Sequence, residues 1–82
     1  MNPRKLLRKA IASPNNFRFN DLVRLVESPG FKLSRTSGSH HIYLHPDVDE
    51  AINLQNVSGK AKPYQVRQVL SLVERYNLQV RD

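Results

Sequence analysis

Three segments of this 82-residue chain place their hydrophobic residues three and four positions apart, the spacing typical of amphipathic helices. The first lies within NPRKLLRKAIAS at residues 2–13, and its apolar stripe comprises Leu6, Leu7, Ala10 and Ile11. The second is predicted at residues 21–28, with Asn20 as its N-terminal cap and SPG as its stop. The third begins at Pro63, and its apolar face comprises Val66, Val69, Leu70 and Val73.

Between the second and third helices the hydrophobic spacing changes to two, the period of a β-strand. We therefore expect an α+β fold of the order αβββα, with an extra N-terminal helix and a three-stranded antiparallel sheet that two helices cover on one face. The apolar face of the sheet is expected to carry Phe31, Leu33, Ile42, Leu44, Ile52 and Leu54. The opposite, polar face is expected to carry Lys32, Ser34, His41, Tyr43, Asn53 and Gln55.

The segment TSGSHHIYLHP at residues 36–46 is predicted to be the hairpin between the first two strands. A two-residue turn at Ser37 and Gly38 would place Arg35 directly opposite His40. A guanidinium at that position attracts phosphate, and a neutral imidazole beside it is a plausible general base for a hydroxyl next to a phosphodiester. The alternative is that His40 is a strand histidine bonded to a neighbouring carbonyl.

Gly38 and Ser39 leave the tip of this hairpin open to an approaching backbone and could supply amide donors. His41 is expected to be an exposed residue or a substrate contact, and His45 a solvated loop residue. His40 and His41 point to opposite faces, while His41 and His45 are about 13 Å apart along a strand, so neither pair can hold one metal ion. No metal site and no cofactor are therefore expected.

Two further positions are candidates for nucleic-acid contacts. Tyr43, with Lys32 predicted across from it, could stack a base and hold its phosphate, although an exposed pair without a ligand fits equally well. Lys60 and Lys62 precede the last helix, whose N-terminal amides already favour an anion. The alternative for these lysines is an ordinary solvated loop.

The charge balance favours an anionic partner, because 13 Lys and Arg face 7 Asp and Glu, for a net charge of +6. The chain contains no cysteine, which excludes disulfides and thiolate zinc sites and makes the cytoplasm the expected location. The basic start MNPRKLLRKAIASP lacks the continuous apolar core of a signal peptide, and no stretch is apolar enough to span a membrane. The N-terminal helix is expected to pack on or trail from the domain, with a nucleic-acid or membrane contact as the alternative.

Three segments appear in a characteristic order: Gly30-Phe31 after a helix, GSHHIYLHP at residues 38–46, and a last helix with the sequence KPYQVRQVLSLV. With these segments the chain resembles the HicA toxins of toxin–antitoxin pairs. The resemblance covers roughly residues 19–78. It implies a fold like that of double-stranded-RNA-binding domains, so we expect a HicA-like domain at 19–82 after an N-terminal helical extension at 1–18. The chain lacks the Pro-x-His segment that many members carry in or after the third strand.

The resemblance also implies an endoribonuclease that cleaves mRNA, with a HicB-like antitoxin as its protein partner. The functional histidine of Gly-Ser-His corresponds to His40, and the glycine of that motif to Gly38. On this reading Arg35 holds the phosphate, with Lys60 or Lys62 as a second contact, and no metal is needed. The alternatives are a non-catalytic RNA-binding module of the same fold and a domain that binds an acidic protein.

Overall fold

The computed structural model describes residues 1–82 and contains three helices, a short 3₁₀ turn and three strands. Helices α1, α2 and α3 span Pro3–Ala12, Phe19–Glu27 and Pro63–Arg75. Strands β1, β2 and β3 span Lys32–Ser37, His40–His45 and Val48–Gln55 and form one antiparallel sheet in that order. The predicted α+β order αβββα with a preceding helix is confirmed.

Helix α1 begins as its sequence predicts, because the Asn2 side chain accepts a hydrogen bond from the Lys5 backbone N–H at 2.9 Å. Leu6 and Ala10 are buried in the same hydrophobic core as the rest of the chain, while Ile11 is exposed. The helix packs against both α2 and α3. The N-terminal helix is therefore packed on the domain and does not trail from it.

Helix α2 begins at Phe19, two residues before the predicted start, and Asn20 does not cap it. Arg18 occupies the cap position without a side-chain hydrogen bond. Backbone pairing fixes the start of the helix. The Phe19 N–H donates to Gly59 O at 3.0 Å, and the backbones of Arg18 and Lys60 form an isolated antiparallel β-bridge. Tertiary pairing has replaced the local cap that the sequence suggested.

The hairpin between β1 and β2 turns at Gly38 and Ser39, one residue later than predicted. Ser37 consequently pairs with His40, and Arg35 pairs with Ile42 instead of His40. Gly38 has φ +58°, the positive value that a type II′ turn requires at its first central residue. A bulge at Ser34 then shifts the register in the middle of β1.

The buried face of β2 is the opposite of the predicted one, because the side that carries His41 and Tyr43 packs against the helices. Tyr43 is only 3% exposed and pairs with buried Ile52, whereas Leu44 is 48% exposed. On β3 the prediction is confirmed, since Ile52 and Leu54 are fully buried. The helices pack over β3 and leave all six residues of β1 exposed, including Leu33.

The buried side chain of Gln65 joins α3 to the free edge of β3. Its Oε1 accepts a hydrogen bond from the Gln55 backbone N–H at 3.0 Å, and its Nε2 donates to Asn53 O at 2.7 Å. Gln65 is the only polar residue in the buried set and is 2% exposed. The carboxamide thus takes the place that a backbone amide of a fourth strand would occupy.

None of the three helices combines the length and the apolar character that crossing a membrane requires.

Candidate functional site

The open face of the sheet carries a depression of about 420 Å³ next to the β1–β2 hairpin. All three strands contribute to it, and its lining comprises Arg35, Ser37, His40, Ile42 and Asn53. No carboxylate lines the pocket, so its only formal charge besides any on His40 is that of the Arg35 guanidinium. A pocket of this composition favours an anion such as a phosphate group.

His40 is the first residue of β2 and is exposed at the rim of the hairpin. Its Nδ1 lies 3.1 Å from Oδ1 of Asn53 on β3, and its Nε2 has no hydrogen-bond partner within the protein. Arg35 is not directly opposite His40, as the sequence analysis expected, but both side chains line the same pocket. The two candidate groups therefore share one face of the sheet.

The hairpin tip beside His40 is unobstructed. A Cβ on Gly38 would meet no atom within 4 Å, although the positive φ still disfavours other residues there. The carbonyl of Ser39 accepts from the Asn56 backbone N–H at 3.0 Å, which ties the tip to the segment that follows β3. Gly38 and Ser39 thus keep the pocket accessible while the turn itself is held in place.

His41 lies on the opposite, helix-covered face, and its predicted place on the polar face was wrong. Its ring centroid is 4.9 Å from that of Phe19, and its Nδ1 lies 3.1 Å from Ser39 O. Because successive strand residues point to opposite faces, His41 cannot join His40 in one pocket.

Tyr43 is buried, so its predicted exposure next to Lys32 was wrong; Lys32 pairs with Leu44. Removal of the phenol from water, with a smaller effect of the negative charge on Glu27, raises the pKa of Tyr43 above its ordinary value of 10.0. A side chain in this position is a core residue and offers no stacking surface.

His45 is half-buried, contrary to its predicted role as a solvated loop residue. Its Nδ1 accepts from the Asp47 backbone N–H at 3.0 Å, and its Nε2 lies 3.0 Å from Pro29 O. The ring packs 5.0 Å from that of Phe31. Since the backbone N–H can only donate to Nδ1, the proton of neutral His45 is on Nε2.

Lys60 and Lys62 lie outside the pocket. The Nζ of Lys60 donates to Asn16 Oδ1 at 3.1 Å, and the Nζ of Lys62 is 5.9 Å from the centre of the Tyr64 ring. Lys60 is nevertheless connected to the hairpin through the backbone. Asn56 is hydrogen-bonded to Ser39 at the tip, and the next residue, Val57, pairs with Lys60.

A second depression, of about 390 Å³, lies between the end of α2 and the C-terminal segment, and His45, Asp47 and Arg81 are among its lining residues. Both nitrogens of His45 already have hydrogen-bond partners, so this site has no free imidazole base. The chain has no group of three or more His, Cys, Asp and Glu side chains placed to hold a metal ion.

The sequence alone does not identify Ser37, Ile42 or Asn53 as site residues. The sequence predicts Asn53 on the polar face, which is a usable signal, but its contact with His40 depends on a register that joins distant strands. The sequence predicts Ile42 in the core, because its apolar side chain fits the alternation expected of a buried strand.

A scan against protein-family models matches residues 19–74 to the HicA toxin of bacterial toxin–antitoxin systems. The match covers more than half of the chain. The chain belongs to the HicA toxin family. The HicA match begins with the first residue of α2 and ends within the last turn of α3, so it contains the whole candidate pocket. Among curated proteins and solved structures, no match to the chain is found.

Helix α1 lies outside the HicA match, yet Leu6 and Ala10 belong to the same core as the matched residues. This HicA chain therefore completes its core with residues that the family model does not include.

Proposed function

We propose that this HicA-family toxin is a metal-independent endoribonuclease that cleaves mRNA in the cytoplasm, with His40 as its general base. The observation that supports the proposal is the pocket on the open face of the sheet, where His40 and Arg35 meet without a neighbouring carboxylate. A neutral imidazole with a free nitrogen can accept the proton of a ribose 2′-hydroxyl, a group that RNA has and DNA lacks.

In the proposed reaction the 2′-hydroxyl proton moves to Nε2 of His40 while the 2′-oxygen forms a bond to the adjacent phosphorus. The bond from phosphorus to the 5′-oxygen breaks, and the departing oxygen takes its proton from water. The products are a 2′,3′-cyclic phosphate and a free 5′-hydroxyl. Arg35 holds the phosphate and stabilises the negative charge that develops on its oxygens in the transition state.

Residues outside the pocket have supporting roles in this proposal. Gly38 and Ser39 form the open turn over which the RNA backbone approaches, and Lys60 and Lys62 contact phosphates farther along the strand. A HicB-like antitoxin is the proposed protein partner, and it would silence the toxin by covering the open face of the sheet. Covering that face blocks the pocket without requiring any change in the helices.

The test compares RNA cleavage by the wild-type chain and His40→Ala in the presence of EDTA, with RNA binding measured in parallel. General-base catalysis contributes roughly 10²–10⁴-fold in rate, so His40→Ala is expected to lose at least about a hundredfold in cleavage. Binding is expected to change little, because Arg35 and the lysines remain. Cleavage at wild-type rate by His40→Ala would refute the assignment, and binding without cleavage by either protein would indicate a non-catalytic RNA-binding module.

A further inference from the structure

The hydrogen bond between His40 and Asn53 bears on which ring nitrogen of His40 can act as a base. Two neutral forms of an imidazole exist, and the partner of one nitrogen determines which form is present. Only the form with its proton on Nδ1 leaves Nε2 free to accept another proton. In the structure Nδ1 lies 3.1 Å from Asn53 Oδ1, an atom that can only accept.

We infer that Asn53 is a positioning residue, whose side-chain oxygen holds His40 as the Nδ1–H tautomer and so presents an unprotonated Nε2 to the pocket. The inference rests on the proposed role of His40 as general base and adds the group that orients it. Asn53 lines the pocket beside His40, so its side-chain amide lies at the site itself.

The backbone around Asn53 is held from two sides, which makes its side chain a firm support. On one side Asn53 pairs with Ile42 of β2, and on the other its carbonyl accepts from Nε2 of buried Gln65 at 2.7 Å. Gln65 also accepts from the N–H of Gln55, the residue that pairs with His40. A buried side chain of α3 therefore holds the backbone of both Asn53, which contacts the imidazole, and Gln55, which pairs with His40.

The three histidines of the chain provide an internal reference for a direct test. His40 and His41 each direct Nδ1 at an oxygen acceptor, and His45 receives an N–H at Nδ1. We expect long-range ¹H–¹⁵N correlation spectra, recorded where the rings are neutral, to show Nδ1–H for His40 and His41 and Nε2–H for His45. The measurement needs no RNA, so it is independent of whether the chain cleaves RNA.

The variants are Asn53→Ala, which removes the acceptor, and Asn53→Asp, which keeps it. Asn53→Ala is expected to give a mixture of His40 tautomers with unchanged signals from His45, and to lower kcat roughly tenfold, the effect of losing one neutral hydrogen bond, at nearly constant KM. Asn53→Asp is expected to retain the Nδ1–H form, and its carboxylate stabilises the imidazolium, so the acid limb of its pH–rate profile moves to higher pH. Asn20→Ala, an exposed asparagine on α2, is the control.

An Nε2–H tautomer for His40 in the wild-type chain would overturn the inference, whatever the variants do. An unchanged tautomer and unchanged kcat in Asn53→Ala would overturn it as well. If Asn53→Ala does not fold, the wild-type and Asn53→Asp spectra still decide the tautomer. If the wild-type chain does not cleave RNA while His40 is Nδ1–H, the proposed function fails and the positioning by Asn53 stands.

Discussion

Replacing Gln65 by methionine tests how much the link between α3 and the edge of β3 contributes to stability. Methionine has a similar length and fills the buried site, but it can neither donate to Asn53 O nor accept from the Gln55 N–H. The change therefore removes two hydrogen bonds and creates little empty space. Two backbone groups of β3 lose their partners at a position that is partly shielded from water.

The expected loss follows from those two groups. An unsatisfied buried donor or acceptor costs about 1–3 kcal/mol, and both groups here are only partly buried, so the loss should be about 2–4 kcal/mol in free energy of unfolding. For a domain of this size each kcal/mol corresponds to roughly 4–8 °C in melting temperature. Gln65→Met should therefore melt at least about 8 °C below the wild-type chain.

Urea unfolding followed by circular dichroism measures the loss, and amide hydrogen exchange at Gln55 locates it. Gln68→Met is the matched control, because Gln68 lies on the same helix, is only half-buried and has no side-chain hydrogen bond. A Gln65→Met variant within about 0.5 kcal/mol of wild type, the range of ordinary surface substitutions, would show that the two hydrogen bonds of Gln65 contribute little to stability. An unchanged exchange rate of the Gln55 amide hydrogen would contradict the hydrogen bond between the Gln65 carboxamide and the edge of β3.

Two further predictions concern the core. Leu6→Ala should lower the free energy of unfolding by about 2–5 kcal/mol, since Leu6 is fully buried. Ile11→Ala, on the exposed side of α1, should lower it much less. Equal losses in urea unfolding would contradict the packing of α1. Desolvation and Glu27 raise the pKa of Tyr43 above 10.0, so the phenol loses its proton at a lower pH in the unfolded chain than in the folded chain. The part of the stability that depends on a neutral Tyr43 is therefore fully present below pH 10.0, and it is lost as the pH rises through the pKa of Tyr43 in the folded chain. Tyr43→Phe should remove this part of the alkaline decline, and parallel pH curves for the two proteins would argue against it.

The fold was largely predictable because the hydrophobic residues keep a regular helical spacing in all three helices. In β2, by contrast, the alternation does not decide which face is buried. Its alternate residues are Ile42 and Leu44 on one side and His41, Tyr43 and His45 on the other, and the aliphatic pair is the better match to a buried face by hydropathy. The structure buries the tyrosine and packs the two imidazole rings on phenylalanines from the helix side. Aromatic packing between distant segments is not visible in a local alternation of polar and apolar residues.

The site was predictable in part, since Gly38 indicates a tight turn and His40 follows it directly. Arg35 and His40 do share a face, but that face is the open one and not the one that the helices cover. The pocket brings together His40 and Ile42 of β2, which the sequence places on the buried side, and Asn53 of β3, which it places on the polar side. Only the pairing of β2 with β3, which places Ile42 opposite Asn53, brings them together.

The two edges of the sheet also determine how copies of this chain behave toward one another in concentrated solution. A row of unpaired backbone groups is a template for strand addition by another molecule, and repeated addition leads to aggregates. At the β3 edge, Gln65 already occupies the N–H of Gln55 and the carbonyl of Asn53. At the β1 edge, the bulge at Ser34 breaks the straight line that an incoming strand would follow, and the charges of Lys32 and Arg35 repel the same strand of a second copy. Both edges therefore disfavour the addition of a fourth strand, and the open face of the sheet stays exposed.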